Sequence, residues 1–282
     1  MSAEAIDRGT TIAADVERTL RHPWERPVFI GTVLLNIAIL VAAVWLVAYG
    51  SDWLAAHPFF AKRIQQLRGV AIAAVLAAPG FVLIRNSRWA DTRANGIRIT
   101  AAQLPELNDI LTRQCATFGI AQPPALYVSD AESNIARAYS AWHREYIVVG
   151  TRMLQPDLAA IHDVLAFHIG REIGRLRLGH TVWWDELLVS YVVRIPGLRN
   201  PLGHVRAYSA DRYGAFLEPD GIRGLIAVAA GRRPLSRIDV AQYRHDIAEV
   251  PGLAAMIASW GRRQPSVAQR VRALSTLGLF KN

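Results

Sequence analysis

The pattern of apolar and polar positions changes character near residue 90. Before it stand long uncharged runs; after it, short apolar stripes alternate with charge. Val28 to Tyr49 carries no charged side chain. About 20 such residues, at 1.5 Å each, cross a hydrocarbon core roughly 30 Å thick, so a transmembrane helix is predicted over 28–49. Asn36 is its one strongly polar interruption, and Trp45 and Tyr49 suit an interface belt at the far end. Gly69 to Ile84 is a second uncharged run, bracketed by Arg68 and Arg85 and broken by Pro79 and Gly80. It reads as a kinked second span over 69–84, with a re-entrant or interfacial helix as the alternative. Residues 28–85 then form a transmembrane hairpin. The polar tail 1–27 before it lacks the basic-then-apolar order of a signal peptide.

Residues 90–282 have the pattern of a globular domain. Thr100 is placed to cap a helix over Ala101–Phe118, with Leu104, Leu107, Ile110 and Leu111 on one face and Gly119 as its stop. Strands are expected at Ala125–Val128 and Glu145–Gly150, with turn chemistry at Asp130–Asn134. A long helix is expected over Leu158–Leu178. Thr181–Arg199 is apolar but holds Asp185, Glu186 and Arg194, so it reads as a helix on the domain or at the bilayer surface, not as a span. Helices over Val205–Phe216, Gly221–Ala230, Ile247–Trp260 and Pro265–Leu277 complete the domain. The fold class is α+β: a two-helix membrane hairpin followed by a mostly helical domain with a small sheet.

Composition sharpens this picture. The chain has 282 residues, of which 52% are hydrophobic, and its mean hydropathy of +0.17 agrees with a membrane segment. The net charge is +9, and the only lysines are Lys62 and Lys281. Arginine in place of lysine is what a GC-rich genome gives, so the charge says little about function. With an apolar anchor beside it, the charge favours anionic lipid over nucleic acid, and no nucleic-acid motif is present. A lone cysteine, Cys115, forms no internal disulfide and fits a reducing compartment. Arg18, Arg21 and Arg26 flank one end of the hairpin and Arg85, Arg88 and Arg93 the other, against Lys62, Arg63 and Arg68 in the loop. The positive-inside rule puts both ends in the cytoplasm, which makes the chain a multi-pass protein of the plasma (inner) membrane.

The candidate chemistry lies in "REIGRLRLGH", from Arg171 to His180. In H-E-x-x-H, two histidines one helical turn apart bind zinc and the Glu activates the bound water. Here the Glu is present as Glu172, and both histidine positions hold arginine, Arg171 and Arg175. A guanidinium stays protonated and has no lone pair for a metal.

Further stretches lie in order along the chain: "LPELNDILTRQCATFGIAQPPALYV", "SNIARAYS", "EYIVVGTRML", "RAYSADRYGA" and "RQPSVAQRVRAL". With the central motif they resemble the HtpX-like family of membrane-anchored zinc metallopeptidases, relatives of the CAAX prenyl proteases, over roughly 101–277. The resemblance implies a gluzincin-like fold. It also implies that Glu172 stands at the general-base position and that Arg171, Arg175 and Ala207 stand at the three former metal-ligand positions. Gln264 replaces the histidine of the closing motif. Asp211 stands where a carboxylate orients a ligating histidine. By this resemblance the chain is a pseudopeptidase without a cofactor, acting as a scaffold or regulator of a membrane protein complex or of a protease. A protein partner is implied, and the edge strand with Tyr146 and Val148 is the surface on which such proteases add a substrate strand. The alternative is an active membrane zinc endopeptidase with non-standard ligands, for which His162, His168 and His180 are the nearest donors. A third reading, an anionic-lipid-binding protein, rests on charge alone. Three arrangements suit the arginines: a guanidinium–carboxylate plug of Arg171 or Arg175 with Glu172 and Asp211, a solvated helix face, or an anion site that includes Arg177.

Overall fold

A computed structural model describes residues 16–56, 59, 69, 72, 80, 83–132, 135–141, 144–154, 161–230, 237–250, 252, 253, 256, 259 and 261–279. In chain order the elements are α1 (Glu25–Ala56), β1 (Ile97–Arg98), α2 (Pro105–Thr117), β2 (Ala125–Ser129), β3 (Ala136–Ala141) and β4 (Arg144–Gly150). There follow α3 (His162–Arg177), α4 (Trp183–Leu188), α5 (Asn200–Leu217), α6 (Ile222–Ala230), α7 (Val240–Glu249) and α8 (Val267–Ser275). Residues 16–20 and 83–95 are also helical.

The sheet has the order β1-β2-β4-β3. β2 runs parallel to β4, and β3 runs antiparallel to it. Side chains alternate between the two faces. Leu126, Val128, Ala136, Ala138, Ile147 and Val149 face a core shared with Val164, Leu165, Ile169 and Ile173 of α3. Tyr127, Ala141, Tyr146 and Val148 form the other face, covered by Trp89 of the 83–95 helix, whose ring lies 4.8 Å from that of Tyr146. Tyr146 and Val148 were expected on a free edge. They lie instead on β4, which is bonded on both sides, and both are buried. The edge strands are β1 and β3.

α3 is buried on nearly every side, between the sheet and α5. Glycine makes the crossing close. A Cβ on Gly174 would lie 2.4 Å from Cγ of Tyr213, and one on Gly214 would lie 2.6 Å from Cγ of Arg171.

α1 is long and apolar enough over Glu25–Gly50 to cross a membrane. Its first turns dock on the domain: Val28, Phe29 and Val33 pack on Val189, Val193, Leu202 and Val205. Asn36 is buried, and its Oδ1 accepts from the N–H groups of Tyr191 (2.8 Å) and Val192 (3.3 Å). The second uncharged run, 69–84, lies outside the described residues apart from Gly69, Ile72, Gly80 and the two residues that open the 83–95 helix.

Several boundaries differ from expectation for local reasons. α2 begins at Pro105 because Thr100 and Gln103 close a tight turn and Leu104 takes a left-handed conformation at φ 54°. The stretch 181–199 is not one helix; α4 ends at Leu188 and turns follow. α7 starts earlier than 247, where the Asp239 carboxylate accepts from Ala241 N and Gln242 N, and it ends at Glu249, two residues before Pro251. The remainder of 247–260 lies largely outside the described residues. A capping box of Ser266 and Gln269 opens α8.

Candidate functional site

Three helices and the edge strand β3 bring one buried ionic cluster together. α3 supplies Arg171, Glu172 and Arg175, α5 supplies Asp211, and α8 supplies Arg270. Asp211 is wholly buried. Its Oδ1 accepts from Arg171 Nε at 2.6 Å and Arg270 Nη2 at 2.7 Å, and its Oδ2 from Arg270 Nε at 2.7 Å. Arg270 is only 1% exposed, and its two-pronged grip matches the carboxylate plane. Burial alone would raise the Asp211 carboxyl, but the guanidiniums of Arg270 and Arg171 outweigh it and hold the group below the usual carboxylate range. Asp211 is therefore an anion locked between two cations.

Glu172 is equally committed. Its Oε2 accepts from the backbone N–H of Ala138 on β3 at 2.7 Å and from Arg175 Nη1 at 2.8 Å. Arg171 Nη1 lies 3.9 Å from its Oε1 and joins the two halves. His168 closes the row. Its Nε2 donates to the Gly224 carbonyl at 2.9 Å, which leaves the Nδ1 lone pair toward Arg171 Nη1 at 3.5 Å. Burial, with Arg171 beside it, lowers its pKa to about 3, so the ring is neutral.

These residues do not fit a zinc ion. Arg171, Arg175 and Ala207 have no lone pair to give, and both carboxylates already hold guanidiniums. The free nitrogen of His168 faces a cation. Among the described residues no three His, Cys, Asp or Glu side chains are grouped to hold a metal.

A second polar cluster ties the chain before α1 to the same helices. Glu25, buried, accepts from His180 Nε2 at 3.1 Å and from the Ser209 hydroxyl. Arg212 Nη1 donates to the carbonyls of Thr19 (3.3 Å) and Arg21 (3.2 Å). Arg177 belongs here and not to the ionic plug: it pairs with Glu17, which also accepts from Tyr213. Burial pushes His180 down to about 4.

Of the residues singled out in the sequence, Arg171, Glu172, Arg175 and Asp211 meet in one place. Ala207 is buried one turn before Asp211, Gln264 is exposed, and Tyr146 and Val148 lie under Trp89 on the far face of the sheet. His162 stands apart beside Arg113. Cys115 is buried, which pushes its thiol up to about 11. Sequence reasoning missed Arg270 and Glu25. Arg270 had a signal: it falls on the stripe of Val267, Val271 and Leu274, where the pattern asks for an apolar residue. A cleft of about 780 Å³ lies elsewhere and is lined in part by Trp89, Arg93, Tyr127, Arg144 and Trp183.

The described residues define a mixed helix–sheet protein with a four-stranded sheet and one apolar helix near its N-terminus. Comparison with family models, curated proteins and solved structures finds no match.

Proposed function

We propose that this chain is a catalytically inactive, membrane-anchored relative of the HtpX-like zinc metallopeptidases. It keeps the gluzincin-like helix arrangement and the two-helix hairpin, with both ends of the hairpin in the cytoplasm. It acts by binding, as a scaffold or regulator of a membrane protein complex or of a protease. The observation that carries this reading is the Arg270–Asp211–Arg171 and Arg175–Glu172 cluster. In an active site Glu172 would take a proton from a metal-bound water. Here two donors fill its Oε2, and its Oε1 faces a guanidinium. Loss of a dication from a buried site would strand Glu172 and Asp211 as uncompensated charges. Arg171 and Arg175, at the histidine positions, supply the missing positive charge from side chains.

Glu172 also takes the outward N–H of Ala138 on β3. That donor is one a bound polypeptide strand would use, so this position of the edge is occupied from within.

The test is metal content by elemental analysis of the detergent-purified full chain. A variant carrying Arg171→His, Arg175→His and Ala207→Glu is measured beside it. The wild type is expected to hold no zinc and the variant about one per chain, as a three-ligand site would. Stoichiometric zinc in the wild type would overturn the proposal.

A further inference from the structure

We infer that the segment from Trp183 to Arg199 is a wedge inserted into one leaflet of the bilayer, so that the domain is partly submerged and not merely tethered. The inference rests on the reading of α1 as a membrane-crossing helix.

Depth is the first argument. Asn36 lies eight residues beyond Val28, where the uncharged run begins, or about 12 Å along the helix axis. At that level its side chain accepts from Tyr191 N and Val192 N. These two amides belong to the turns after α4, and hydrocarbon offers a backbone donor no acceptor. Non-helical backbone survives at membrane depth only where protein supplies its partners. Asn36 is that partner, and it accounts for a polar residue in an otherwise apolar run.

A second attachment reaches the same segment. Arg85 is the first charged residue after the second uncharged run. Its guanidinium pairs with Glu186 at 2.5 Å and donates to the Thr181 carbonyl. Leu83 and Ile84 beside it are exposed. Asn36 of α1 and Arg85 therefore both meet the stretch 181–193.

The surface chemistry agrees. Trp183, Trp184, Leu188, Ile195 and Leu198 are between 37% and 50% exposed. The two acids of α4 do not oppose insertion, because Asp185 pairs with Arg206 and Glu186 with Arg85. Arg194 and Arg199 add cationic charge that suits anionic headgroups. Two tryptophans opening an apolar ridge are what a headgroup boundary selects.

The test uses nitroxide labels on the full chain in phosphatidylcholine–phosphatidylglycerol vesicles. In a Cys115→Ser background, single cysteines replace Leu188, Ile195 and Leu198. Val41 on the exposed face of α1 and Thr112 on α2 serve as references. Labels at 188, 195 and 198 are expected to be several-fold more accessible to oxygen than to a nickel chelate, as at 41, with the reverse at 112. Chelate access at all three, with 41 lipid-exposed, overturns the wedge and leaves the anchor standing. Occlusion from both reagents means a protein covers the ridge, and this also overturns the wedge. Chelate access at 41 fails the anchor itself. A second readout keeps Cys115 in place: quenching of tryptophan by brominated lipid should fall in Trp183→Phe/Trp184→Phe, and unchanged quenching counts against the wedge.

Discussion

At Asp211 two guanidiniums share one buried carboxylate, and Arg270 supplies two of its three charged hydrogen bonds. Arg270→Met is therefore expected to cost about 3 kcal/mol of stability, read from denaturant melts in detergent. Replacement of the whole trio, Arg171→Met with Asp211→Leu and Arg270→Met, should recover most of that loss, because like-sized apolar side chains remove the buried carboxylate together with both of its cations. If the trio variant were worse than the single one, the cluster would be a net source of stability. The buried histidines set the acid response. His168 and His180 have folded pKa values of about 3 and about 4 against an ordinary 6.5. Between those values the unfolded chain binds more protons, so stability rises with pH there. Acidification from pH 7 to 5 should remove about 2 kcal/mol per histidine. Asp211 acts lower, since a depressed carboxyl contributes above its ordinary value and is lost only as pH falls through its folded one. His168→Gln keeps a donor for the Gly224 carbonyl and has no proton to gain, so its stability should fall less steeply over that range; an unchanged slope would assign the titration elsewhere. Arg171, Arg175, Glu172 and Asp211 were legible as site residues because they lie in two short motifs. Arg270 was not, because its partner is 59 positions away.

Among the elements, α3 and α5 meet through glycine. Gly174→Ala would put a methyl 2.4 Å from Tyr213 Cγ, in a core with no slack. It should lose roughly 1–3 kcal/mol, whereas Gly261→Ala, which meets nothing within 4 Å, should be silent in the same thermal melts. Legibility here followed periodicity. α2 was read from the stripe of Leu104, Leu107, Ile110 and Leu111, and β2 from a short apolar run after Pro123-Pro124. β4 was found, but its place in the sheet was misread. Tyr146 to Val149 is apolar without alternation, which is the mark of a strand covered on both faces. β3 was seen as a motif and not as a strand. Ala136 and Ala138 have weak strand preference, and their pairing with β4 holds them extended.

For the whole molecule, Asn36 joins the long apolar helix α1 to the domain. Asn36→Leu makes the run more apolar, so α1 should still enter the bilayer. The variant removes the side-chain acceptor of the Tyr191 and Val192 amides at about 1–3 kcal/mol each, and hydrogen exchange at both should speed up. Unchanged exchange at those amides would mean that the contact carries no load. What the sequence determined by itself is whatever a single element encodes: the apolar run of α1, the helical segments, the strand runs, and the short stretch that sets Glu172 between Arg171 and Arg175. Periodicity and residue chemistry act over a few neighbours, so they can be read without a fold. Tertiary structure alone decided that Arg270 grips Asp211, that Glu172 takes the Ala138 amide, that β4 is interior, and that Glu25 binds Ser209 across 184 positions. Those pairings depend on how helices cross and strands order. Burial energy summed over the whole chain sets that arrangement, and no local pattern carries it.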